Sequence, residues 1–194
     1  MEPISERFVG CWKCFYEEYK KSSPLPDKKW NCPIPTIWGE HDIQFRLASI
    51  CGKKFGNDWV HLEYNPLGGN KRVDICITDP KPIKNFFGEG GKELKKFNGE
   101  MDLMIELKII AGKGNNKQYH FPMAVKSDAR KLAEIIKAGK VRHGYICVID
   151  RREDAKKEEY DKLENEIATT CKSLKILRIL DSELFNMILV PHAS

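Results

Sequence analysis

Asp102-Leu103-Met104-Ile105-Glu106-Leu107-Lys108-Ile109-Ile110 is apolar enough for a buried β-strand, yet it carries an acid and a base in its interior. Side chains alternate along a strand, so Glu106 and Lys108 share one face with Met104 and Ile110. Leu103, Ile105, Leu107 and Ile109 then fill the other face and anchor the strand in a core. Burying a carboxylate and an ammonium costs several kcal/mol per ion unless each finds a partner or a metal. Two such residues in mid-strand therefore mark a candidate site.

The surrounding chain has the composition of an ordinary globular domain. Its 194 residues, 41% hydrophobic and 31% charged, suffice for one core with room for an appendage. A net charge of +5 is compatible with a polyanionic partner without demanding one. Glu2, Glu6 and Arg7 come too early for a signal-peptide apolar region, and no apolar run nears the roughly 20 residues of a membrane-spanning helix. The expectation is an intracellular, cytoplasmic protein with no membrane partner. The cysteine count of seven is odd, and Cys76 and Cys147 lie in apolar runs, which fits free thiols in a reducing compartment. Cys11-Trp12-Lys13-Cys14, with Cys32 downstream, has metal spacing, but a structural zinc site needs four ligands and no second pair exists. The plain expectation for Cys11 and Cys14 is core packing among Phe8, Trp12, Phe15 and Tyr19; a zinc or iron–sulfur site drawing on His41 is the alternative.

Outward from the quoted strand, the elements fall in a clear order. Phe8, Cys11, Trp12, Phe15 and Tyr19 recur at intervals of three and four and predict a helix over residues 4–21. Pro24, Pro26, Pro33 and Pro35 then make a wrapped connector, so residues 1–35 read as an N-terminal helical extension laid on a core domain, 36–194. A helix follows from Trp38 to Lys53, stopped by Gly52 or Gly56, with Ile43, Leu47 and Ile50 as its apolar stripe. Glu40 lies at the N-terminal end of that inward face, either as a second buried acid or as a complement to the helix dipole.

Residues 59–64 alternate as a half-buried strand, and 71–78 form a second strand. In it Val73, Ile75 and Ile77 face one way, and Asp74 and Cys76 the other. A long insertion over 80–100 precedes the quoted strand, and a glycine- and lysine-bearing loop over 112–120 follows it. Ser127 is the expected N-cap of a helix to Ala138, with Ala129, Leu132, Ala133 and Ile136 inward. Residues 144–149 read as a central strand closed by Asp150, 153–170 as a charged helix with Tyr160, Leu163 and Ile167 inward, and 174–180 as a last strand. The apolar segment over 184–190 is expected to pack on the body. Short connections imply an antiparallel start, and helical crossovers imply parallel pairing later. The fold class expected is α/β, a mixed central sheet flanked by helices.

Helix glutamate, strand aspartate, then Glu-x-Lys in the next strand resembles the PD-(D/E)XK, or restriction-endonuclease-like, nuclease superfamily. The matching residues are Glu40 in GEHDIQFRLA, Asp74 in KRVDICI, and Glu106 with Lys108 in MIELKII. The element order also resembles that superfamily's αβββαβ core, over about residues 36–150. Val73 stands where the motif has proline, and the inserted loop lengthens the distance from Asp74 to Glu106. The resemblance implies a metal-dependent nuclease, most simply an endonuclease on DNA of restriction or repair type, with RNA left open.

In that reading Asp74, Glu106 and Glu40 are the metal ligands, holding Mg2+ or Mn2+ through hard oxygens. Lys108 orients the water or stabilises charge developing on phosphate, or serves only as a counter-ion to Glu106. Acting as a base would require a depressed pKa. Lys71, Arg72, Lys113, Lys117 and Lys131 are candidate contacts to the nucleic-acid backbone, beside Arg130. His61 and Glu63 border the site or are solvated sheet positions. Nucleases that cut both strands are often dimers, so a homodimer is an expectation. A non-catalytic nucleic-acid-binding or interaction module that keeps the fold is the alternative from another class.

Overall fold

Residues Met101–Leu107 are all buried, because the strand they begin is covered by helices on both faces. The computed structural model describes residues 3–22, 39–65, 72–78, 101–110, 121–152 and 155–180. In chain order the elements are α1 (Ile4–Ser22), α2 (Glu40–Phe55), a 3-10 turn (Asn57–Trp59), β1 (Val60–Tyr64), β2 (Val73–Ile77), β3 (Met101–Ile110), α3 (Met123–Lys137), β4 (Val141–Asp150), α4 (Lys157–Thr170) and β5 (Leu174–Leu180). The strands form one five-stranded sheet in the order β1-β2-β3-β4-β5. β1 with β2 and β2 with β3 run antiparallel, whereas β3 with β4 and β4 with β5 run parallel. The protein is thus an α/β domain built on a mixed sheet, with the antiparallel and parallel halves meeting at β3.

Strand alternation sorts the core into two layers. Leu103, Ile105 and Leu107 of β3 pack with Tyr145, Cys147 and Ile149 of β4 beneath α1 and α2. Met104 and Ile110 pack with Ile146 and Val148 beneath α3 and α4. α1 belongs fully to its layer. Phe8, Cys11, Trp12, Phe15 and Tyr19 are buried at the expected spacing, and the Phe8 ring lies 4.9 Å from that of Tyr145. Arg7 fastens the end of α2: its Nη2 donates to the Lys54 carbonyl at 2.7 Å, and its guanidinium lies 4.3 Å from the centre of the Phe55 ring. A helix leaves its last carbonyls without partners, so a cation there both bonds and complements the dipole.

Several local expectations are corrected. α3 begins a full turn earlier than the Ser127 cap predicts, at Met123, and Ser127 lies inside the helix. Pro122 stands at the entry, where its missing N–H breaks no bond, and its carbonyl takes the Lys126 N–H at 3.0 Å. Ile135, not Ile136, is the fully buried isoleucine of α3, although Ile136 still packs against the cluster. α2 runs through Gly52 and ends at Gly56, whose φ of +100° favours glycine; its N–H returns to the Gly52 carbonyl at 2.8 Å. Trp59 lies in the turn before β1 rather than in the strand. Val73 packs on the Cys76 side instead of with Ile75 and Ile77, since it starts β2 beyond the last pair that ties the strand to β3. β4 is longer than predicted, and α4 is shorter, starting at Lys157. Cys14 is exposed, so of the Cys11–Cys14 pair only Cys11 enters the core, where its thiol hydrogen-bonds that of Cys51 on α2. The connector around Pro24–Pro35, the insertion over 80–100, the loop over 112–120 and the segment over 184–190 lie outside the described residues. Among the described residues, no helix is long and apolar enough to cross a membrane.

Candidate active site

Asp102, Glu106 and Asp150 are buried carboxyls on β3 and β4, and their surroundings differ. Asp150, fully buried, is wrapped by donors: the Arg152 backbone N–H at 3.0 Å, its Nη2 at 2.7 Å and the Tyr160 hydroxyl at 2.7 Å. Such a carboxylate is a structural fixture, stabilised by the bonds that desolvation demands. Asp102 has Arg142 Nη1 at 3.3 Å. Glu106 is 3% exposed, and its Oε1 lies 2.6 Å from Lys131 Nζ, a lysine of α3.

The sheet brings Asp74 to Glu106. The pairs Ile77↔Leu103, Cys76↔Met104 and Ile75↔Ile105 set the β2–β3 register, and Asp74, just before the last pair, lies close enough to Glu106 to act on its charge. Backbone pairing stops at Ile75, and the Leu107 N–H is taken by Asp74 Oδ2 at 2.6 Å. The side chain substitutes for the ladder, so the strand opening and the carboxylate orientation have a single cause.

Two helices close the site. Glu40 is the first residue of α2, and one turn on, the buried Gln44 side chain donates to the Asp74 carbonyl at 2.7 Å and to Glu63 Oε1 at 2.9 Å. Those bonds fix the N-terminus of α2 over the start of β2. Glu63 adopts φ +51°, a region disfavoured for a residue with a Cβ, beside this cluster. From α3, Asp128 Oδ2 lies 3.1 Å from Lys108 Nζ, and Lys131 Nζ contacts Glu106 while donating to the Arg72 carbonyl at 2.9 Å. The cluster therefore gathers midway along β3, between the N-terminus of α2 and the middle of α3.

The titration behaviour describes one shared space. Burial pushes Glu106 up to about 8, with Asp74 adding to the shift and Lys131 opposing it. Burial also raises Asp74, against the Leu107 N–H and the charges of Lys131 and Lys108. Burial raises Glu40, with Lys108 opposing and Asp74 and Asp128 reinforcing. Carboxylates outnumber ammoniums here, so a cation of higher charge would relieve the cluster.

This has a measurable consequence for the metal-free protein. Glu106 holds its proton more tightly when folded, so its stabilisation is complete below the ordinary value of 4.5 and is lost as pH rises through about 8. The shifts of Glu40 and Asp74 have the same sign. In EDTA the melting temperature is expected to fall across that window, and Glu106→Gln to flatten part of the fall. Parallel profiles for the two proteins would contradict the assignment.

The structure thus brings Glu40, Asp74, Glu106, Lys108 and Lys131 into one electrostatic neighbourhood. Arg72 contributes its carbonyl, and its side chain is exposed, as is that of Arg130. Lys71, Lys113 and Lys117 lie outside the described residues. His61 is partly buried on β1, with its pKa lowered by burial. Asp128 and Gln44 are the residues that sequence reasoning missed. Asp128 was detectable: with Val125, Ala129 and Leu132 it lies on the inward stripe of α3.

Among the described residues, no group of three or more His, Cys, Asp or Glu side chains forms a ready metal cage. A Mg2+ site of one or two carboxylates completed by water and phosphate does not need one. Asp74 and Glu106 are two neighbouring carboxyls with hard oxygens, and Glu106 is buried. The donor set fits a hard divalent ion. Cavities of about 210 Å3 between α3 and α4 and about 410 Å3 between α1 and α2 contain none of these carboxylates. Comparison with protein-family models, curated proteins and solved structures gave no match to this chain.

Proposed function

We propose that the protein is a metal-dependent nuclease of the restriction-endonuclease-like class, hydrolysing phosphodiester bonds in DNA. The observation that carries this reading is the nearness of Asp74, where β2 leaves β3, to the buried Glu106, with Lys108 two residues further along β3. In this reading Asp74 and Glu106 hold Mg2+, for which Mn2+ substitutes, and Glu40 adds negative charge at the α2 end. The ion supplies Lewis-acid charge for phosphate and a more acidic bound water. The Leu107 N–H holds one Asp74 oxygen, leaving the other for the ion. Lys108, steadied by Asp128, places an ammonium next to Glu106 to face a phosphate oxygen or orient the attacking water. Buried, lysine-neutralised carboxylates also fit a non-catalytic nucleic-acid-binding module, which the experiment separates.

The test is incubation of the purified chain with supercoiled, linear and single-stranded DNA and with RNA, in Mg2+, Mn2+ or EDTA. Metal-dependent nicking or cleavage of DNA, absent in EDTA, is the expected result. Metal-independent binding without cleavage of any substrate would favour the module, and cleavage confined to RNA would move the substrate class.

A further inference from the structure

Lys131 occupies an unusual place for a phosphate-contacting residue. Its side chain is 24% exposed and covers Glu106, whose side chain is 4% exposed. The ammonium is tethered on its far side by the Arg72 carbonyl at 2.9 Å and lies 3.9 Å from Asp128 Oδ1. Lys108, the motif lysine, is engaged elsewhere, 3.1 Å from Asp128 Oδ2. The buried Glu106 carboxyl therefore has an ammonium from a neighbouring helix against it.

We infer that Lys131 is an exchangeable counter-ion: it neutralises Glu106 in the metal-free protein and yields that carboxylate to the divalent cation on binding. This rests on the nuclease reading of the site. An ionised carboxylate buried without a partner is destabilising by several kcal/mol, and the Lys131 ammonium 2.6 Å away offsets that cost. A lysine suits the role, because its flexible stem and compact charge can swing away while its carbon chain stays packed on α3. The Arg72 carbonyl keeps the released ammonium at the mouth of the site, where it meets the nucleic-acid backbone. Lys131 is thus a positioning residue for metal loading, coupling metal entry to the arrival of positive charge at the phosphate.

The experiment uses Mn2+ alone, titrated without DNA and followed by electron paramagnetic resonance and calorimetry. Lys131→Met removes the competitor and keeps the stem, so Mn2+ should bind about tenfold more tightly than to wild type. Lys131→Arg should bind no more tightly than wild type. Lys108→Met deletes an equal charge from the same cluster and should tighten binding less than Lys131→Met, since its ammonium lies on Asp128. A crystal structure with Ca2+ should place Lys131 Nζ beyond ion-pair distance, roughly 4 Å, from Glu106. Unchanged or weaker Mn2+ binding in Lys131→Met, or Lys131 still on Glu106 beside a bound ion, overturns the exchange. Wild-type Mn2+ affinity in Glu106→Gln removes the metal site itself, and with it the nuclease reading. Loss of binding in Glu106→Gln with no gain in Lys131→Met rejects the exchange alone.

Discussion

Asp74→Asn is expected to lower metal-dependent DNA cleavage by on the order of 10^3-fold or more, the scale of removing one preorganised electrostatic group. Its stability at neutral pH should equal or exceed that of wild type. Burial raises the Asp74 pKa, so the charged form is strained in the folded state, and the amide removes that strain. The Asn side-chain oxygen still accepts the Leu107 N–H that Asp74 Oδ2 accepts now. Lys108→Met should lose activity on a similar scale, since nothing else in its strand can present an ammonium to that face. Activity and melting temperature are measured on the same preparations. Full cleavage by both variants would mean that the carboxylate pair is not the active centre. A large drop in melting temperature for Asp74→Asn would mean that the carboxylate is structural. Loss of activity with gain of stability is the signature of a site maintained for chemistry.

Phe8→Ala is expected to destabilise the whole domain by ~3–5 kcal/mol, the range for truncating a buried aromatic. Phe8 has no solvent exposure and belongs to the layer that covers Leu103, Ile105 and Leu107 of β3. For a chain of this length that loss corresponds to a fall of roughly 6–20 °C in melting temperature. Denaturant unfolding followed by circular dichroism gives the value, and a single cooperative transition is expected. A loss below ~1 kcal/mol would show that α1 detaches without consequence for the sheet. The prediction matters for the site as well, because α1 holds α2 through Arg7, and α2 carries Glu40 and Gln44.

Much of the framework was legible because periodicity and burial are local signals. The quoted strand, the α1 stripe and β5 are where alternation or helical spacing places them. Tertiary effects decided the rest. Ser127 has the chemistry of a cap, but the chain entering through Pro122 starts α3 earlier. Val73 changes sides because β2 has already left β3 at that point. Cys14 has helical spacing, yet α1 turns it toward solvent. Asp74, Glu106 and Lys108 stood out as charges in apolar strands, whereas Asp128 and Gln44 matter only through partners 20 and 30 residues away in the chain. Spacing along one element cannot reveal such pairings. The same holds for Lys131, whose contact with Glu106 depends on where α3 docks.

The side-chain bond from Asp74 to the Leu107 N–H makes the register of β2 a shared property of core and site. A slip of one residue would turn Ile75 and Ile77 out of their layer and carry Asp74 to the opposite face of the sheet. The same slip would leave Leu107 without its acceptor. Misaligned forms therefore lose cohesion and the carboxylate pair together. Quality control of the fold then serves as quality control of the site.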